Sequence, residues 1–572
     1  SASLRDNRMK VEHHENISAT NPHAINFQLI GNEYQHWKID LDGDIAWLGL
    51  GVDENATLMD GYQLKLNSYD LGVDIELHDA VSRLRFEHPE VKCVILHSLN
   101  DKVFCAGANI KMLGLSDHAH KVNFCKFTNE TRNAIENATC ESEQIYICAV
   151  KGSCAGGGYE MALACDQIFM VDDGNSSVSL PELPLLAVLP GTGGLTRIVD
   201  KRFVRRDRAD FFCTLEEGIR GKKAVEWGLV DEVSPASSFT DDIRQRAKEI
   251  AAESQKVVSS SGVLLKPLTR NFSANRVIYD DLEIKINRGT QCAEFLITSS
   301  LQPVPKTLTD IEDLGCDFWP LALARQLDDA ILHMRFNEKE IGTWVFKTQG
   351  DVSYILATEK LLKDYEKHWF IKETSLMIER TFKRLDVTAR SLITAIEPGS
   401  CFAGFLAELI FVADQSYMLL GQFEFSEKTD ATITLTDFNF GPCKMVNGIT
   451  RLESRFFGQN LKLDAIKENC YTPLKASEAE ILELVTFIPD DIDWEDELRM
   501  TIESRVGFSP DALSGMEANL RFVGPETIES KIFSRLSAWQ NWIFQRPNAV
   551  GDKGALVLYG TGERAQFKKE RV

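Results

Sequence analysis

Several things are missing from this 572-residue chain, and each omission closes a class of function. No window holds the ~18 uninterrupted apolar residues that a membrane-spanning helix needs, and the first 30 residues lack the apolar core of a secretory signal. A cytoplasmic location with no membrane partner is therefore expected. Ser1 cannot be an initiator, so residues 1–8 are a candidate non-native leader and Met9 a candidate start. Basic residues are also scarce: 63 Lys and Arg face 85 Asp and Glu, a formal charge of -22 that is a poor match for a polyphosphate backbone. Nucleic acid is not expected as a partner. The thirteen cysteines are an odd number without a CxxC pair or a histidine at metal-ligand spacing, which argues for reduced, partly buried thiols and no metal. The turn closest to a dinucleotide fingerprint, "GTGGLT" at Gly191, lacks the third glycine, which disfavours a fused dehydrogenase.

What remains, 44% hydrophobic and 26% charged residues, is the composition of an ordinary globular protein, too long for a single core. A polar leader (1–32) precedes "HWKIDLDGDIAWLGLGV", which reads as a tight hairpin around Asp42-Gly43. An amphipathic helix ending near His88-Pro89 and a buried strand from Val91 to His97 follow, and strand and helix signals then alternate to about Val233. This pattern predicts an α/β unit of repeated strand-strand-helix turns. "ELHDAVSRLRFEHPEVKCVILHS" then aligns without a gap on "QLDDAILHMRFNEKEIGTWVFKT": Leu77 with Leu327, Arg85 with Arg335 and Phe86 with Phe336 are all 250 apart. Gly152 with Gly399, Glu160 with Glu408 and Arg197 with Arg451 continue the series, so one fold is expected twice. The expected organisation is a catalytic α/β domain (33–260), a degenerate repeat (278–490) and a helical C-terminal packing segment (491–572).

Two glycine-bearing stretches of the first copy follow buried strands, "DKVFCAGANIKML" and "KGSCAGGGYEMALACD". A glycine-rich turn opening a helix presents backbone N–H groups with no side chain in the way, and the helix dipole adds positive potential there. Two such turns facing each other would make an oxyanion hole. Taken alone, either stretch is better explained by glycines that allow a tight turn and close helix packing. Glu160 falls in the first turn of a predicted helix, where a capping acid is also favoured. Glu182, between Pro181 and Pro184, is predicted on a rigid loop after a strand. Two acids in different surroundings can serve as general acid and general base. His118 and His120 read as surface residues of a polar loop.

"FCAGANI", "CAGGGYEMALACD" and "SLPELPLLAVLPGTGGLTR" resemble, in order and near-family spacing, the signature segments of the crotonase (enoyl-CoA hydratase/isomerase) superfamily. The resemblance implies a ββα-spiral fold acting on coenzyme A thioesters, with no permanently bound cofactor. It assigns the oxyanion hole to the backbone N–H groups of Ala108 and Gly157 and catalysis to Glu160 and Glu182. Ala106, Gly107 and Lys111 become candidate substrate-binding residues, Lys111 toward a CoA phosphate. Two departures are Asn109, where many hydratases carry Asp, and the polar insertion "KVNFCKFTNETRNAIENATCESEQ". Longer segments, among them "GYQLKLNSYDLGVDIELHDA", "SPDALSGMEANLRFVGPET" and "AWQNWIFQRPNAVGDKGAL", resemble a branch of the superfamily working on benzoate-derived thioesters. That likeness implies opening of the 2,3-epoxybenzoyl-CoA ring with two waters, giving 3,4-didehydroadipyl-CoA semialdehyde and formate. The alternatives are another acyl-CoA hydratase or isomerase, or a non-catalytic scaffold.

In the second copy, "GSCFAGFLAE" keeps the acid and loses the glycines: Gly157 becomes Phe405 and Gly158 becomes Leu406, and "CAGAN" lines up with "YILATE", which puts Ala357 at Gly107. The second copy is therefore expected to be a structural partner, its Glu408 and Asp437 non-catalytic. Family resemblance implies a homodimer.

Overall fold

The computed structural model describes residue 17 and residues 21–31, 33–258 and 260–572. The first eight residues and Met9 lie outside the described residues. Two compact units divide the chain: one spans Leu29–Leu265, and the other runs from Lys266 to Val572 and includes the described residues up to Gln28. No helix among the described residues is long and apolar enough to cross a membrane.

In the Leu29–Leu265 unit, β1 (Trp37–Asp42) and β2 (Ile45–Leu50) form the expected hairpin, with Gly43 in the left-handed region at φ 63°. β3 (Cys93–Ser98), β5 (Ile145–Val150), β7 (Gln167–Val171) and β9 (Glu232–Ser234) add in parallel, so the sheet order is β1-β2-β3-β5-β7-β9. β3, β5 and β7 are largely apolar because both faces of the sheet centre are covered, whereas the edge strand β9, Glu232–Ser234, is partly exposed. Ile95, Ile147, Phe169 and Val171 on one face pack on Phe239, Ile243, Ala247 and Ile250, one stripe of the helix Phe239–Glu253. Helix Leu71–Glu87 starts at Asp70, whose side chain accepts from Val73 N, and ends at His88, where Pro89 blocks continuation.

Each of three parallel strands is followed within a few residues by a short partner: β4 (Val103–Cys105), β6 (Ser153–Ala155) and β8 (Ser177–Ser179). These pair in parallel as a second, three-stranded sheet, and each leads into a helix start. The strand-strand-helix repetition read from the sequence is thus present. Because Cys105 neighbours Cys154 and Ala155 pairs with Ser179, the segments after them emerge side by side.

In the other unit, β10 (Asn271–Ser273), β11 (Arg276–Ile278), β12 (Leu282–Asn287), β13 (Cys292–Thr298), β14 (Thr343–Gln349), β15 (Ser391–Ile396) and β16 (Gln415–Met418) form one sheet in sequence order. β12 and β13 are antiparallel; β13 to β16 are parallel. The run "YILATE" lies inside the helix Val352–Asp364, so Ala357 is helical where Gly107 stands in a turn. The region after 490 is helical, as expected, and Trp494 buries its ring against Val345, Ile393 and Tyr417 of the sheet while its Nε1–H donates to Glu397 at 3.1 Å.

Candidate active site

The ends of β4, β6 and β8 deliver the three predicted stretches to one place. After β4 the chain turns through Gly107, at φ 88°, and the Asn109 side chain caps the helix Ile110–Leu115 by accepting from Met112 N at 2.9 Å. The Asn109 amide also donates to Gln63 O at 2.7 Å and Ser68 Oγ at 3.0 Å, two bonds that an ionised Asp could not make. The departure at this position is thereby a structural cap. After β6, Gly156 at φ 56° turns into the helix Gly157–Leu163. The two turns touch: a Cβ on Gly107 would lie 2.6 Å from Gly157 N. Ala108 N–H donates to no protein acceptor among the described residues, and Gly157 N–H belongs to the opening turn that a helix leaves unpaired. Two free donors from facing turns are what an incoming carbonyl oxygen requires. Below them, Gly107 N–H donates to Cys105 Sγ at 3.3 Å, and burial pushes that thiol up to about 12, so it stays neutral.

The three adjacent glycines have three separate reasons. Gly156 supplies the positive φ, and a side chain there would also strike Glu182 Oε1 at 2.8 Å. A Cβ on Gly157 would lie 2.2 Å from the Tyr69 hydroxyl. One on Gly158 would lie 2.3 Å from the Cys105 carbonyl oxygen, so Gly158 serves backbone packing.

Glu160 lies in the first turn of its helix, as the sequence implied, and is only 3% exposed. Burial lifts its pKa to about 7, against Gly194 N–H, which donates to its Oε2 at 2.8 Å, and against the charge of Arg132. The "GTGGLT" turn that fails as a dinucleotide site thus holds a carboxylate: Gly193 sits at φ 82°, and a Cβ on Gly194 would meet Glu160 Oε2 at 2.9 Å. Glu182 opens the short helix Glu182–Leu186, with Pro181 as its N-cap residue, instead of standing on a loop. Its own burial, and then the negative charge of Glu160, lift its pKa to about 7, and its Oε2 is buried without a hydrogen-bond partner. Two coupled carboxyls that titrate around neutrality, one bonded and one unbonded, can divide into an acid and a base. Lys111 is exposed on the helix next to this turn, and Ala106 is half-buried at its start.

Sequence reasoning missed a third group of residues. The apparent insertion is the body of a helix, His118–Glu141, whose inner face carries Phe124, Phe127, Thr131, Arg132 and Ile135. The spacing of those residues was the available signal. His120, expected on a surface loop, is buried in the first turn of this helix with its ring stacked 6.3 Å from Phe124. Arg132 is fully buried, paired with Asp74, and lies over the Tyr69 ring at 5.3 Å from the centroid.

The aligned residues of the other unit are arranged differently. Glu408 is buried between Arg451 and Asn439, at 3.3 and 3.1 Å, whereas Asp437 is half-exposed and pairs with Lys363 at 2.6 Å. Phe405 N–H, at the position matching Gly157, donates to Glu359 Oε2 at 2.6 Å. Its donor is already committed.

An enoyl-CoA hydratase/isomerase family model matches residues 63–289. Benzoyl-CoA-dihydrodiol lyase of Aromatoleum evansii is 50% identical over 548 residues, 96% of this chain and 98% of that one. The fatty acid oxidation complex subunit alpha of Vibrio parahaemolyticus is 27% identical over 274 residues, 46% of this chain and 34% of its own. Among solved structures, an enoyl-CoA hydratase of Geobacillus kaustophilus HTA426 is 35% identical, covering 38% of this chain and 76% of that one with a TM-score of 0.34. The chain is an enzyme of the enoyl-CoA hydratase/isomerase superfamily and belongs within it to the family of benzoyl-CoA-dihydrodiol lyase.

Proposed function

We propose that this enzyme opens the ring of 2,3-epoxybenzoyl-CoA with two waters, giving 3,4-didehydroadipyl-CoA semialdehyde and formate in aerobic benzoate degradation through CoA thioesters. The observation that carries the reading is the juxtaposition of two free N–H donors, Ala108 and Gly157, with two buried carboxyls raised to about 7. The likeness to benzoyl-CoA-dihydrodiol lyase along nearly the whole chain supports the choice of substrate. Negative charge arising on the ring delocalises onto the thioester oxygen, which the two N–H groups hold, so the stabilisation acts where charge develops. Glu182, with its unbonded oxygen, deprotonates the attacking water, and Glu160, fixed by Gly194, orients that water or moves the second proton. The protein works in the cytoplasm as a homodimer, and Lys111 meets a phosphate of the CoA moiety.

Incubation with enzymatically prepared 2,3-epoxybenzoyl-CoA and, separately, with crotonyl-CoA is the direct test. Formate from the first is expected; rapid hydration of the second without formate would replace this reading with a plain hydratase, and no turnover of either with a scaffold. Because one acid must be ionised and the other protonated, kcat/KM is expected to fall on both sides of an optimum near pH 7. In Glu160→Gln and Glu182→Gln the residual rate should keep only one of the two limbs. A flat profile from pH 5 to 9 in the parent enzyme would exclude this division of labour.

Residues 278–490 are, in the same proposal, a degenerate crotonase-like repeat that does no chemistry, alongside the catalytic domain 33–260 and the packing segment 491–572. The order β12-β13-β14-β15-β16, an antiparallel hairpin followed by parallel strands, repeats that of β1-β2-β3-β5-β7 and supports the duplication. The bond from Phe405 N–H to Glu359 supports the loss of activity, since an internal carboxylate stands where a thioester oxygen would go.

A further inference from the structure

Tyr69 carries a buried hydroxyl that hydrogen-bonds to nothing among the described residues. Leaving such a group without a partner costs roughly 1–3 kcal/mol, a sum that phenylalanine would save. Its position is fixed from two directions. Tyr69 N–H donates to Gly107 O at 3.0 Å and Tyr69 O accepts from Asn109 N at 2.8 Å, so its backbone is fastened to the turn that presents Ala108 N–H. Its hydroxyl lies against Gly157, filling the space a side chain there would take. The residue therefore spans the two turns that supply the free donors.

We propose that the Tyr69 hydroxyl is a third donor to the thioester oxygen, joining Ala108 N–H and Gly157 N–H as the side-chain member of the oxyanion site. The proposal rests on the reading of this site as one for a CoA thioester. Arg132 explains how a phenol suits the role. Its guanidinium stands over the ring, and its Nε and Nη2, like the Tyr69 hydroxyl, are buried without partners. A cation there draws electron density from the ring and makes the O–H a stronger donor. Burial, with the charge of Glu160 behind it, raises the Tyr69 pKa well above its usual value, so the group keeps its proton at neutral pH. A ring-conjugated thioester spreads developing charge onto its carbonyl oxygen, and a third donor at that atom answers the added demand.

The experiment uses the full chain, its Tyr69→Phe variant and benzoyl-CoA carrying 13C at the thioester carbonyl, followed by NMR. In the parent, binding should move the carbonyl resonance downfield, as expected of a polarised C=O. In Tyr69→Phe the shift should shrink while Kd stays within about threefold and kcat on 2,3-epoxybenzoyl-CoA falls roughly 10²-fold, the usual effect of losing one such donor. The thermal midpoint should not drop, because the hydroxyl has no partner in the fold. An unchanged carbonyl shift, or a kcat within about threefold of the parent, would sink the proposal and leave the CoA reading standing. A lowered midpoint would also defeat it, by assigning the hydroxyl a structural bond. If the parent binds no benzoyl-CoA, the site reading and this proposal fall together, a result that the parent titration alone reveals.

Discussion

Replacing either acid of the site should be nearly fatal to turnover: Glu160→Gln and Glu182→Gln are each expected to lower kcat on 2,3-epoxybenzoyl-CoA by ~10²–10⁴-fold with the fold intact. The amide is isosteric but neither accepts nor releases a proton at any working pH. For Glu160 it also upsets a fixed contact, since Gly194 N–H donates to Oε2, and a glutamine must spend its carbonyl oxygen there and aim its NH₂ into the site. For Glu182 the unbonded Oε2 is the atom that would take a proton from water, and the amide is far too weak a base to take it up. Steady-state kinetics with circular dichroism as the folding control decides the matter. If both variants keep more than about a tenth of the parental kcat, neither acid carries a proton in the reaction.

The second large effect concerns stability. Gly158→Ala is expected to lower the unfolding free energy by about 3 kcal/mol, the upper end of the usual cost of overpacking. Its new methyl would meet the Cys105 carbonyl at 2.3 Å and the Cys105 Cβ at 2.8 Å, and backbone cannot rotate away as a side chain tip can. Gly157→Ala meets the Tyr69 hydroxyl instead, so its cost should be partly relieved by Tyr69→Phe, while no change at Tyr69 should help Gly158→Ala. Urea unfolding of the parent, the three single variants and the two double variants with Tyr69→Phe measures both statements. A Gly158→Ala protein within about 0.5 kcal/mol of the parent would show that β4 yields to the helix more easily than this packing implies.

The contrast between these two glycines shows where the sequence was informative. Comparing "GSCAGGGYE" with "GSCFAGFLAE" suggests that both glycines serve a ligand, because the later stretch keeps its acid without either. Gly158 answers to Cys105, 53 residues earlier, and such a contact has no local signature. The strand-strand-helix repetition was legible because buried strands and glycine turns leave short-range patterns, and it was enough to bring Gly107, Gly157 and Glu182 to neighbouring strand ends. Tyr69 and Arg132 were not legible. One sits in the polar run "KLNSYD" and the other in an apparent insertion, and only the pairing of Tyr69 with Ala108 and the packing of the helix His118–Glu141 bring them to the site. The "GTGGLT" turn, weighed and set aside as a dinucleotide site, does hold a carboxylate through the backbone N–H of Gly194, and that carboxylate is the chain's own Glu160.

The buried acids also tie folding to protons. Glu160 and Glu182 have pKa values raised by burial from 4.5 to about 7, and so do Glu359 and Glu408 in the other unit. A carboxyl whose folded pKa exceeds its unfolded value binds its proton more tightly in the folded chain. Its contribution to stability is complete below about pH 4.5 and is lost as pH rises through about 7. Folding at near-neutral pH is then proton-consuming at four positions, and a chain poised for acid–base work carries that readiness as a standing charge against its own fold. In the other unit the same cost falls on Glu359, whose Oε2 accepts the Phe405 N–H, and on Glu408, held between Arg451 and Asn439.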